Sequence, residues 1–190
     1  MTKHLTKPIR AIHFMVLAFL MTLSSPVAAQ DYNKGVAAAE AGDSEAQFNL
    51  GASYEFGMGV PQDQNKAAKW YRLAAEQGHA DAQYELGQRH LKGRGVLQNY
   101  KEAVKWYQLA AEQGVKYAHT SLGVMYANGQ GVPQDNTLAH MWFNIGGANG
   151  HEPGGTNRDE IAKKMASADI SKAQAMAREC MNSGYTKCGY

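Results

Sequence analysis

Apolar residues recur along this chain with two superimposed periods. Over short windows they stand three and four residues apart: Ala67, Trp70, Tyr71 and Ala74, then Ala103, Trp106, Tyr107 and Ala110, then Ala139, Trp142, Phe143 and Gly146. This spacing places each set on one face of an amphipathic helix. Ala46, Leu50 and Tyr54 form the matching stripe of an earlier helix in the first unit. Over longer windows everything repeats after 36 residues. LGASYEFGMGVPQD returns as LGQRHLKGRGVLQN and again as LGVMYANGQGVPQD, and residues 44–79 match residues 80–115 at 18 of 36 positions without a gap. A fixed period of this length signals a repeat architecture.

Each unit therefore reads as two helices. Asp63, Asn99 and Asp135 precede the second helices, where a side-chain oxygen accepts from free first-turn N–H groups. Gly78, Gly114 and Gly150 follow them, at the place where a left-handed residue ends a helix most cheaply. The glycines at 51, 87 and 123 allow close helix approach, and Gly57 with Gly59 turns the connecting loop. One helix pair cannot bury its own apolar faces, so pairs must stack. Lys34 to Gly42 align with the end of a second helix, which predicts an N-terminal half-repeat over 30–43. Units are expected at 44–79, 80–115 and 116–150. Beyond Gly150 the register is expected to dissolve into a loop, His151 to Thr156. Capping helices near 157–165 and 169–181 follow within a C-terminal segment 151–190. The Trp and Tyr series is assigned to the core by its helical spacing.

The pattern Ala-x-x-x-Leu-Gly-x-x-Tyr-x-x-Gly-x-Gly-Val-Pro-x-Asp, followed by Ala-x-x-Trp-Tyr-x-x-Ala-Ala-x-Gln-Gly, closely resembles the Sel-one-like repeat, a relative of the tetratricopeptide repeat. The expected fold is all-α, a right-handed α-solenoid of stacked antiparallel helix pairs, and the tail resembles the capping helices of exported bacterial members. Three departures stand out: Leu97 replaces the loop proline, His90 a tyrosine, and Gly146-Gly147 an alanine pair. Two glycines in a helix cost roughly 1–2 kcal/mol against alanine.

The first 29 residues change the reading of charge and address. Lys3, Lys7 and Arg10 precede an apolar run from Ala11 to Leu23, and Val27-Ala28-Ala29 supplies small residues for cleavage after Ala29. That order predicts a secretory signal peptide over 1–29, too short in its apolar run for a membrane span, and a periplasmic or secreted product. Without those residues the formal +2 becomes −1, from 16 Lys+Arg against 17 Asp+Glu. A near-neutral chain without a basic cluster is poorly suited to nucleic acid. In an oxidising compartment Cys180 and Cys188 are expected to pair.

Candidate chemistry is sparse. Beyond the leader, His79, His90, His119, His140 and His151 stand more than ten positions apart, so no adjacent-turn metal pair exists, and neither a metal nor another cofactor is expected. His90 reads as a core histidine, and His151-Glu152 as a solvated loop pair. The resemblance extends to relatives connected with penicillin binding, yet no Ser-x-x-Lys and no Gly-x-Ser-x-Gly occurs. The Gly-x-Gly-Val loops recur in every unit, as turns do and phosphate cradles do not.

What remains is surface. In stacked helix pairs one helix series lines the concave wall, and variation between units concentrates there. The variable first-helix positions are Asn49, Glu85 and Ser121, then Ala52, Gln88 and Val124, then Phe56, Lys92 and Asn128, with Ser53, Arg89 and Met125 beside them. Phe56, Arg89 and Lys92 are the favoured anchors, being aromatic or cationic. The resemblance implies a non-enzymatic module that binds another protein or peptide as scaffold, adaptor or regulator of an envelope complex. A small cell-wall or β-lactam enzyme and a purely structural spacer are the alternatives. Apolar end faces also permit weak self-association.

Overall fold

The structure, a computed structural model, describes residues 26–189, so the leader expected over 1–29 lies outside the described residues as far as residue 25. Among them are nine helices and no strand: α1 (Pro26–Glu40), α2 (Ser44–Phe56), α3 (Gln64–Glu76), α4 (Ala80–Lys92), α5 (Tyr100–Glu112), α6 (Lys116–Asn128), α7 (Asn136–Ala148), α8 (Glu152–Ala162) and α9 (Ser167–Asn182). Each helix from α1 to α7 packs on its successor, α9 packs back on α7, and the units stack as helix pairs. The cleavage expected after Ala29 falls in the first turn of α1.

The caps follow the sequence pattern. Asp63 Oδ1 accepts from Asn65 and Lys66 N–H, Asn99 Oδ1 from Lys101 and Glu102, and Asp135 Oδ1 from Thr137 and Leu138, all within 2.8–3.2 Å. Gly57, Gly93 and Gly129 end the first helices at φ 71°, 68° and 65°. The glycines at 51, 87 and 123 act differently from simple backbone spacers. A methyl group at Gly87 would come within 2.7 Å of the Tyr107 ring, and at Gly51 within 2.9 Å of Tyr71, so the glycine admits the aromatic side chain of the second helix.

The buried aromatic series is Tyr71, Tyr107 and Phe143. Trp70 and Trp106 are half-buried, and Trp142 alone of the tryptophans is buried, at 1 % exposure. The assignment of all three tryptophans to the core is thus corrected. The reason is geometric: α9 packs on α7 and covers it.

The expected loop over His151 to Thr156 is also corrected. Helix α8 starts at Glu152, 36 residues after α6 starts at Lys116, so the register continues into a fourth first-helix. Pro153 sits in the first turn, where its missing N–H costs nothing. Gly154 meets the paired glycines of α7: a methyl group on Gly154 would lie 2.7 Å from Gly147 N and 2.9 Å from the Phe143 carbonyl. Glycines that read as helix breakers form a close helix crossing.

Candidate functional site

The 36-residue register lays the first-helix side chains out in rows. One row runs Asn49, Glu85, Ser121, Asn157; the next Ala52, Gln88, Val124, Glu160; a third Phe56, Lys92, Asn128, Lys164. The expected binding residues do not form one continuous patch. Asn49 borders an indentation between α1 and α2. Phe56, Glu85, Gln88, Arg89 and Lys92 line a cleft of about 450 Å³ between α2 and α4. Val124 and Asn128 border a third indentation against α8, and Ser121 is half-buried on α6.

The α2–α4 cleft is the most polar of these. Phe56 is 68 % exposed at its edge, with Lys92 and Arg94 exposed beside it. Arg89, expected as a surface anchor, is instead buried at 2 % exposure, which corrects that expectation. Its Nη2 forms an ion pair with Glu55 Oε2 at 2.8 Å, and its Nη1 donates to Gln64 Oε1 at 3.0 Å. The guanidinium also lies over the Tyr71 ring, 4.7 Å from its centroid, and Tyr71 OH donates to the same Glu55 oxygen at 2.8 Å. Burial and the Glu55 hydrogen bond push the Tyr71 hydroxyl well above its ordinary value, so it stays protonated. Burial, then the Glu55 charge, raises the Glu85 carboxyl, opposed by Arg89 and Lys92. Sequence reasoning missed Glu55 because it does not share the varied stripe. The register would have flagged it, since Leu91 and Ala127 stand at its position.

The histidines have structural surroundings. His79 caps α4: its Nδ1 accepts from Ala82 N–H at 3.2 Å, which leaves Nε2 to donate to Glu45 Oε2 at 3.0 Å. His90 is buried, with Nδ1 3.4 Å from the Leu97 carbonyl. His151 is half-buried, not solvated in a loop, and its Nδ1 is 2.7 Å from Thr120 Oγ1. His119 stands where Gln47 and Gln83 stand in the earlier units. Those glutamines donate to the Ala39 and Ala75 carbonyls and accept from Gln77 and Gln113. His119 has the Ala111 carbonyl as polar neighbour, and burial lowers its pKa to about 4. In this third unit Asn149 replaces the Gln77 and Gln113 position and bonds Tyr185 OH at 2.8 Å, while the His119 ring lies 5.0 Å from the Tyr185 ring. Tyr185 is held in the loop closed by the Cys180–Cys188 disulfide.

Among the described residues no group of three or more His, Cys, Asp or Glu side chains is placed to hold a metal ion. Nor is any helix among them long and apolar enough to cross a membrane.

Comparison with known proteins agrees with this architecture. The Sel1 repeat pattern matches residues 44–79, 80–115 and 116–151. The crystal structure of a protective antigen present in uropathogenic Escherichia coli strains, displaying an SLR fold, is similar with a TM-score of 0.75 and 33 % identity. The match covers 83 % of this chain and 34 % of the antigen, so the chain spans about a third of that protein's length. A Sel1 repeat protein from Oxalobacter formigenes is similar with a TM-score of 0.64 and 35 % identity, over 69 % of this chain and 98 % of that one. No curated protein matches. With more than half of its length in three in-register units, the chain belongs to the Sel1 repeat family.

Proposed function

We propose that this chain is an exported protein-interaction module, a scaffold, adaptor or regulator of an envelope complex, that binds its partner on the first-helix face. Sel1 repeat scaffolds typically mediate protein–protein interaction and are generally non-catalytic. One observation supports the location: the first-helix positions of Asn49, Ala52 and Phe56 carry a different residue in every unit, and Phe56, Lys92 and Arg94 are exposed there around a cleft. Exposed aromatic and cationic groups around an indentation are the residues interfaces use as anchors. Export is supported by the leader pattern, the disulfide and the likeness to a protective antigen.

The test is crosslinked affinity capture of the C-terminally tagged chain from an exporting host, beside Phe56→Glu and Lys92→Glu. Both substitutions are at exposed positions and leave the core intact, unlike reversal of the buried Arg89. The expected result is a partner captured by the native chain and lost from the variants. Equal capture by all three, or none above the tag alone, would sink the proposal. N-terminal sequencing of the exported product is expected to begin at Gln30.

A further inference from the structure

Successive first helices meet at three interfaces that use the same positions with different residues. Between α2 and α4 these are Glu55, Arg89 and Tyr71, an ion pair beneath which the ring lies. Between α4 and α6 they are Leu91, Met125 and Tyr107, and all three belong to one packed apolar cluster. Between α6 and α8 they are Ala127, Ile161 and Phe143. At the third interface alanine stands in place of leucine and isoleucine in place of methionine, so its walls are small and apolar. An indentation of about 230 Å³ opens there, walled by Val124, Ala127, Phe143 and Ile161. Val124 is 36 % exposed at its mouth. Apolar walls that open to solvent gain free energy when an apolar side chain replaces water, and the space suits one side chain rather than a helix.

The rim has a definite charge. Lys163 Nζ donates to Glu160 Oε1 at 2.6 Å, and Arg158 is ion-paired with Asp159 at 2.7 Å. These neighbours neutralise one another. Lys164, which lines the niche, is exposed and has no ion pair among the described residues. Glu160, held by Lys163, also lines the niche, and Asn128 and Asn157 complete the rim with amides suited to a peptide backbone.

We infer, resting on the interaction-module reading above, that the α6–α8 niche is a socket for one large apolar side chain of a partner peptide, and that Lys164 selects a carboxylate beside it. The partner chemistry is thus an acidic peptide with an aliphatic or aromatic anchor. The α2–α4 cleft, its floor already occupied by the Glu55–Arg89 pair, is not this socket.

The inference is tested by selecting a displayed random-peptide library on the purified chain, then measuring enriched peptides by fluorescence anisotropy against native protein, Ala127→Leu, Lys164→Glu and Lys92→Glu. Leucine is tolerated at the matching position, Leu91, so Ala127→Leu fills the niche with a residue this fold already accommodates, and a thermal melt checks its folding. Lys164→Glu is an exposed change that tests the carboxylate independently. Enriched peptides are expected to carry an apolar residue within two positions of Asp or Glu. Their affinity is expected to fall about ten- to a hundredfold on Ala127→Leu, the value of burying one such side chain, and to fall on Lys164→Glu unless the peptide's acid is changed to lysine. Peptides lacking the pair, or pair-bearing peptides that bind both variants like the native chain, would overturn the inference. Peptides lost from Lys92→Glu but bound normally by the other two would keep the first-helix face as a binding surface and overturn the socket. No enrichment at all would count against both.

Discussion

Glu55 and Arg89 stand where Leu91 and Met125 stand one interface further along, and the contrast sets a measurable expectation. Their side chains are 14 % and 2 % exposed, so removing one partner leaves a charge with little water to solvate it. Glu55→Ala is expected to cost about 3–5 kcal/mol, whereas Glu55→Leu with Arg89→Met should be neutral or stabilising. Urea unfolding of the two variants separates these outcomes. A second residue-scale expectation concerns His119. Its folded pKa of about 4 lies below the ordinary 6.5, so the unfolded chain binds the proton first. Stability is therefore fully present above pH 6.5 and falls as the pH drops from 6.5 toward 4, by roughly 3 kcal/mol for this group. His90 and His140, also lowered by burial, act in the same direction. His119→Gln restores the residue of the earlier units and should flatten most of that slope in denaturation measured across the range.

At the scale of elements, the α7–α8 crossing reverses the usual effect of replacing glycine in a helix. Gly154→Ala brings a methyl group onto the backbone of α7 and is expected to destabilise by about 1–3 kcal/mol. Gly155→Ala, with nothing within 4 Å, should stabilise by a few tenths to about 1 kcal/mol, and thermal melts of the pair give opposite signs. This crossing also marks where the sequence was hard to read. Helices α2 to α7, the Asp and Asn caps of α3, α5 and α7, and the three units were legible because period, cap chemistry and glycine position all agreed. Helix α8 was not, since Pro153, Gly154 and Gly155 each favour a loop locally and the compensating backbone contact comes from Gly146 and Gly147 in another helix. The candidate surface was legible as rows of varied positions. Which members face solvent was not, because Arg89 finds Glu55 and Tyr71 across a unit boundary. The tryptophans followed the same logic: burial of Trp142 depends on α9, which lies outside the repeat.

Taken whole, the molecule is an array in which each unit rests on its neighbours, and its two ends are finished differently. At the carboxyl end α9 covers α7, and the disulfide holds Tyr185 against Asn149 and His119. Closing a nine-residue loop contributes about 2.5 kcal/mol by chain entropy. Replacing both cysteines by serine should lower stability by up to that amount. Hydrogen exchange should show the loss in α7 and α9 while α2 and α3 keep their protection, because stability in stacked repeats is held locally. At the amino end α1 packs on α2, and of its described side chains Ala39 is the buried one.

That inequality gives the array a direction. Units that lean only on their neighbours come apart like a zipper, from whichever end is easiest to open. Here one end is sewn shut by a covalent stitch, while at the other Ala39 is the one buried side chain among the described residues of α1. Under mechanical load, or in the presence of a protease, this chain is expected to peel from its first unit toward its last, which the order of limited-proteolysis cuts would check. The α6–α8 niche, two units deep from the looser end, is expected to outlast the α2–α4 cleft.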